Sequence, residues 1–183
     1  VFNGTTDEGD TPDVAGLSFG DGVSDLPFSI VVLCKPDVNN ALMTLMAKED
    51  SSTAEEWNLR IDASADLVLT LTDESATGTI TGTFTTTIGT DLVLVGSAYD
   101  GSRAARGLTL YTNGLPRTTT LGGSSYTAME NTAALVHLGS RYLTKAQFFD
   151  GNIGVALLTA KHLSRDEMWA VKVACNAYFA LSL

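Results

Sequence analysis

The stretch Leu108-Thr109-Leu110-Tyr111-Thr112-Asn113-Gly114-Leu115 decides how the rest of the chain is read. Leu108 and Leu110 alternate with Thr109 at the period of two expected of a strand. Asn113-Gly114 then supplies two residues that tolerate positive φ at a tight antiparallel turn, and a Thr-rich return follows. The same pattern recurs outward in both directions. Phe28, Ile30, Val32 and Cys34 share one face of a run that stops at Pro36-Asp37. Trp57, Leu59 and Ile61 alternate with Asn58, Arg60 and Asp62, which predicts one dry and one wet face. Leu67, Leu69 and Leu71 alternate with Val68, Thr70 and Thr72, and the run from Asp91 to Asp100 is apolar on both parities.

Further short strands are predicted at Ala134 to Gly139 and Ile153 to Thr159, with Asp100-Gly101, Gly122-Gly123 and Asp150-Gly151 as boundary turns. About ten such strands without intervening helices describe an all-β, two-sheet antiparallel jelly-roll sandwich. The tail differs. Met168, Val171, Cys175 and Tyr178 recur at helical spacing, and Ser164 with Glu167 forms a capping box, so one helix is predicted from about Ser164 to Ala177. There is no internal repeat or linker-like stretch, and 183 residues suffice for one domain with a full two-sheet core.

The formal net charge is −10, and Asp7, Glu8, Asp10, Asp13, Asp21 and Asp25 all precede Lys35, the first basic residue. This acidity disfavours nucleic acid, whose phosphates need a basic patch, and anionic membrane surfaces. No apolar run reaches transmembrane length, so membrane insertion is not expected. The chain begins at Val1 without a charged n-region, which leaves a leader removed earlier as an open alternative. Cys34 falls in an apolar strand and Cys175 in the predicted helix, so two buried free thiols are the first expectation and a disulfide the second.

The order of several short motifs resembles the laminin-G-like branch of the concanavalin A-like lectin and glucanase superfamily. They run from Phe2-Asn3-Gly4-Thr5-Thr6-Asp7 and Thr11-Pro12-Asp13 through Phe28-Ser29-Ile30, Lys35-Pro36-Asp37 and Lys48-Glu49-Asp50. Trp57 to Asp62, Tyr99 to Ser102 and Gly107 to Gly114 continue the match. Leu138-Gly139, Phe149 to Gly154 and Leu163 to Glu167 close it near residue 170. The resemblance implies the jelly roll, not a ligand. Gly154 and Val155 stand where many relatives carry an acidic pair, and Val31 and Leu33 replace an acidic residue and a Trp. Both departures bear on any transfer of a family calcium or sugar site.

Glucanases of that superfamily place their acids on one strand face, and two carboxylates flank the scissile bond. The nearest match here, Glu8-Gly9-Asp10-Thr11-Pro12-Asp13, ends in Asp and is broken by Pro12, so no catalytic residue is assigned. His137 and His162 lack neighbours that would make a triad or a zinc site. Asp7, Asp10 and Asp13, with Asp150 and Asn152, offer the hard oxygens that calcium takes; a solvated acidic loop is the plainer alternative. For a sugar, Tyr126 and Tyr142 in loops and Tyr111 beside the hairpin are candidate platforms, with Asn113, Asp100 and Arg141 as polar partners.

Three functions then compete. The first is a non-catalytic structural or decorating component of a virion-like (phage) particle, located on the virion surface and contacting protein partners or host glycans. The second is an extracellular carbohydrate-binding or adhesion module, and the third a glycoside hydrolase. The first leads because unstapled cysteines fit folding in a reducing cell followed by assembly. The tail residues Met168, Trp169, Tyr178, Phe179 and Leu183 also offer apolar surface for attachment or homo-oligomerisation.

Overall fold

The computed structural model describes residues 1–141 and 146–183. Among the described residues the chain forms β1 (Phe2–Asn3), β2 (Gly9–Thr11), β3 (Phe28–Pro36), β4 (Met43–Ser51), β5 (Ala54–Ile61), β6 (Leu67–Asp73) and β7 (Gly78–Phe84). There follow β8 (Val93–Tyr99), β9 (Leu108–Thr112), β10 (Leu115–Arg117), β11 (Thr120–Ser124), β12 (Val136–Leu138), β13 (Asp150–Thr159) and helix α1 (Arg165–Phe179). Two antiparallel sheets result, one of six strands in the order β1-β13-β3-β8-β9-β10 and one of seven in the order β11-β7-β6-β5-β4-β12-β2. This is the two-sheet jelly-roll sandwich that the alternating runs predict.

The period of two explains which side chains meet. Phe28, Ile30, Val32 and Cys34 point between the sheets and pack on Leu45, Trp57, Leu59, Ile61, Leu67, Leu69 and Leu71 from the other sheet. Phe19 stacks on Phe28 with ring centroids 4.4 Å apart; Trp57 leans on both rings and Tyr99 on Phe28. The hairpin at Asn113-Gly114 forms as read, with φ of 50° and 75°, and Asn113 also accepts the Leu94 amide on its side-chain oxygen at 3.0 Å.

The opposite parity of β3 explains the two departures from the family pattern. Val31 and Leu33 face outward, where they join Leu94, Ala98, Tyr111, Leu163, Met168 and Cys175 in a second apolar cluster under α1, with Val155 packed against it. Gly154 lies where the β13–β3 register shifts, so a bulge there re-aims the strand towards the helix. A polar side chain at Val31 or Leu33 would lie within this apolar cluster, whereas Gly154 itself is exposed. The helix thus covers the outer face of the six-stranded sheet.

The helix begins at the predicted cap: Ser164 Oγ accepts the Glu167 amide and the Glu167 carboxylate accepts the Ser164 amide. It runs two residues past the predicted end and stops at Ala180 in the left-handed conformation. Met168 and Cys175 are buried as the spacing requires, but Tyr178 is 83% exposed. After the left-handed Ala180, Leu181 and Leu183 pack against the cluster instead. Cys34 and Cys175 are both free and lie on opposite sides of the six-stranded sheet, one in each cluster. Burial pushes the Cys34 thiol up to about 12, which keeps it protonated and unreactive.

Candidate functional site

With α1 on one sheet, the outward face of the seven-stranded sheet is the face that offers polar side chains to solvent. The register aligns them. Ala47 on β4, Asn58 on β5, Thr70 on β6, Thr81 on β7 and Gly122 on β11 form one row across the sheet. Thr72 and Thr79 pair in the next row. A depression of about 360 Å³ opens over them, lined by Glu55, Asn58, Arg60, Thr70, Thr72, Thr79, Thr81, Arg141, Gln147 and Leu42. Gly122 lets β11 lie close beside this row: a Cβ there would come within 2.7 Å of Thr81 Oγ1.

A polar relay runs along the floor. Arg141 donates from Nε to Glu49 and from Nη2 to Glu55 Oε1 at 2.7 Å. Asn58 Nδ2 donates to Glu49 Oε1 at 2.6 Å, and Arg60 Nη1 donates to Asn58 Oδ1 at 2.6 Å and Thr70 Oγ1 at 2.8 Å. Glu49, Glu55, Asn58, Arg60 and Thr70 stand on β4, β5 and β6, and these bonds join them to one another and to Arg141, which reaches in from the segment after β12. Gln147 is tied in at the rim, where its backbone oxygen accepts the Thr44 amide at 2.8 Å.

Glu49 is fully buried, and burial pushes its carboxyl up to about 7 against the pull of Arg141 and Asn58. The folded protein therefore binds this proton more tightly than the unfolded chain, whose glutamates titrate near 4.5. The stability contributed is fully present at low pH and is lost as pH rises from about 4.5 to about 7. The expected loss is on the order of 1–3 kcal/mol. Asp25, Glu56 and Glu74, also raised by burial, give slopes of the same sign. Glu49→Gln isolates the Glu49 part, because it is neutral at every pH. Across this range the wild-type urea midpoint should fall relative to that of Glu49→Gln as pH rises, and parallel curves would refute the assignment.

Of the residues singled out in the sequence, Arg141 is brought to this face. Tyr142 lies outside the described residues. The other sugar candidates serve the fold. Tyr126 packs against the core and its hydroxyl donates to Asp25 at 2.6 Å, so its polar end is spent. Tyr111 is buried in the cluster beneath α1, Asn113 shapes its hairpin, and Asp100 Oδ1 accepts the Ser102 amide at 2.8 Å in a turn. Arg60, Asn58 and the threonines were visible in the sequence only as the wet side of strands; their convergence depends on register.

The five calcium candidates do not form one donor set. Asp13 is bound to Lys48 Nζ at 2.8 Å; Asp10 sits opposite His137 in one sheet, and Asp150 and Asn152 lie on β13 in the other. Among the described residues no three acidic, His or Cys side chains gather where a metal would be held. In the Glu8–Asp13 segment, Glu8 accepts from Ser140 Oγ at 2.7 Å, while Asp13 is held by Lys48. His137 is buried, with Nε2 3.0 Å from Asp50 Oδ1.

No family model matches the chain, and no curated protein matches it. Several solved structures are similar. The carbohydrate-binding module CBM40 of the Ruminococcus gnavus IT-sialidase, solved with α2,3-sialyllactose, is 19% identical, with 92% of this chain and 100% of that one covered and a TM-score of 0.62. The heptameric SAP-like pentraxin of Limulus polyphemus is 12% identical, with 90% and 81% covered and a TM-score of 0.57. A putative carbohydrate-binding protein of Bacteroides ovatus is 10% identical, with 92% of this chain and 45% of that one covered and a TM-score of 0.58. At these identities the likeness establishes the fold alone, a two-sheet β-sandwich jelly roll.

Proposed function

We propose that this chain is a non-catalytic carbohydrate-binding module that holds a glycan on the outward face of its seven-stranded sheet. The observation that carries the reading is the groove itself: hydroxyl, amide and guanidinium groups from three adjacent strands line an open depression the size of a small saccharide. Threonine hydroxyls both donate and accept, which suits the mixed demands of sugar hydroxyls. The named binding partners of similar folds, sialyllactose for the Ruminococcus module and carbohydrate for the Bacteroides protein, point the same way. Catalysis is not part of this reading, because Glu49 is sealed under the floor and both Glu49 and Glu55 are held by Arg141.

A glycan array followed by calorimetry tests it. The wild-type protein should bind at least one saccharide, and Thr81→Phe, which puts a bulky ring at a half-buried position lining the groove, should weaken that binding at least about tenfold. Binding unchanged in Thr81→Phe would move the site elsewhere, and silence across the array would end the proposal.

The laminin-G-like placement rests on motif order in the sequence, and an extracellular location goes with the glycan reading. The particle-surface reading, with virion location and homo-oligomerisation, has one observation in its favour: Trp169, Val173, Tyr178 and Phe179 are exposed along α1. The similar structures add nothing to it, and the glycan reading now leads.

A further inference from the structure

We infer that the groove selects acidic saccharides, with the Nε–Nη2 edge of Arg60 as the seat of a sugar carboxylate; this rests on the carbohydrate-binding reading above. The two arginines of the groove differ in their partners. Arg141 is clasped by Glu49 and Glu55. Arg60 has only neutral acceptors, and both come to the same nitrogen: Nη1 gives its two hydrogens to Asn58 Oδ1 at 2.6 Å and Thr70 Oγ1 at 2.8 Å. Those bonds fix the plane of the guanidinium. Nε and Nη2 keep three hydrogens without an acceptor among the described residues. Neither nitrogen is sealed from solvent, and Arg60 lines the groove.

That free edge is a two-pronged donor of the shape a carboxylate fits. A sugar hydroxyl can take one prong but leaves the positive charge uncompensated. The need for compensation is local. Arg60 is partly withdrawn from water, and burial lowers its pKa, with the neighbouring charge of Arg141 adding to the effect; Glu49, Asp62 and Glu55 pull the other way without prevailing. Removing a cation from water without a paired anion is unfavourable, and a ligand carboxylate would relieve that cost. The chain's net charge of −10 repels anions at a distance, so an anion bound here must be held by this geometry.

The test compares one oligosaccharide in two forms, with its carboxylate free and as the methyl ester, alongside a neutral sugar and a sulfated sugar of the same core. The acid form should bind at least about tenfold tighter than its ester, and Arg60→Gln should bring the two close to equal by weakening the acid form far more than the ester. Arg60→Lys, which keeps the charge and loses the fork, should retain part of the preference. Equal binding of acid and ester by the wild-type protein overturns the acidic selectivity and leaves the carbohydrate reading standing. Absence of binding to every sugar overturns both. A sulfated sugar that outbinds the acid form overturns the assignment to a carboxylate. The acid–ester comparison on wild-type protein decides the matter even where a variant fails to fold.

Discussion

Replacing Lys48 with alanine is expected to lower the free energy of unfolding by about 3–5 kcal/mol, the scale seen when one partner of a buried ion pair is removed. Lys48 is 0% exposed, and its ammonium is completely enclosed by acceptors. It donates to Asp13 Oδ1 at 2.8 Å, to the Ala134 carbonyl at 2.6 Å and to the Thr132 carbonyl at 3.3 Å, and lies 3.2 Å from Glu56 Oε1. Glu56 is itself buried, fed by Thr132 N and Thr132 Oγ1 at 2.8 Å each, with Oε2 lacking any partner. Burial raises the Glu56 carboxyl and Lys48 is the leading force holding it down. Without the ammonium, Glu56 must either remain charged and uncompensated or take up a proton. Lys48→Met keeps the stem's volume and should lose nearly as much, whereas Lys48→Met with Glu56→Gln should regain a large part of the loss. Denaturant unfolding of the three proteins reads this out. A cost below about 1 kcal/mol for the single methionine variant would show that the pair adds nothing over an apolar filler.

The second large effect is expected at Asp25, where alanine should cost about 3–4 kcal/mol. Its carboxylate accepts from the Tyr99 and Tyr126 hydroxyls at 2.6 Å each and from the Met129 amide at 2.9 Å. Tyr99 in turn accepts the Arg103 amide at 2.6 Å. One side chain thus joins the segment before β3, the end of β8 and the loop before β12. Alanine would leave three donors short of an acceptor, two of them on fully buried residues. These losses are coupled and will not simply add. Burial raises the Asp25 carboxyl in spite of its three donors, so the charge itself is a burden here. Asp25→Asn should therefore cost distinctly less than Asp25→Ala. Equal losses for the two, measured as shifts of the urea midpoint at constant m, would contradict this account.

These two networks also show what a one-dimensional reading can and cannot reach. Strands such as β5 and β6 are legible because their apolar residues recur every second position and the intervening ones are polar. The hairpin is legible because Asn-Gly meets a local demand for positive φ, and the helix start because Ser164 and Glu167 are three residues apart. β4 is harder to see: Lys48 and Glu49, both buried, stand where alternation leads one to expect solvent-facing charge. β11 is hidden for the opposite reason. Its Thr-Leu-Gly-Gly-Ser sequence is exposed throughout, and Gly122-Gly123, which look like a boundary turn, lie within the strand because Thr79, Ile80 and Thr81 crowd them.

The same distinction governs the site. The fold brings Arg141 to the groove face, whereas the acceptor that claims the Tyr126 hydroxyl lies 101 residues earlier in the chain, a pairing no local pattern marks. Arg60 carries no local mark at all. Its importance appears once β5, β6 and β7 are in register and its neighbours prove to be an amide and a hydroxyl rather than a carboxylate.

On the carbohydrate-binding reading, the threonine rows of β6 and β7 have a bearing on what kind of saccharide would settle there. A β-branched side chain on a strand has few rotamers to lose, and the middle of a sheet is among the last parts of a protein to open. The floor is already ordered before a ligand arrives, so little freedom remains for the protein to surrender. What association must freeze is the torsional freedom of the ligand's own glycosidic linkages. A floor of this kind favours short or conformationally stiff saccharides over long flexible ones, and terminal sugars over the interior of a chain.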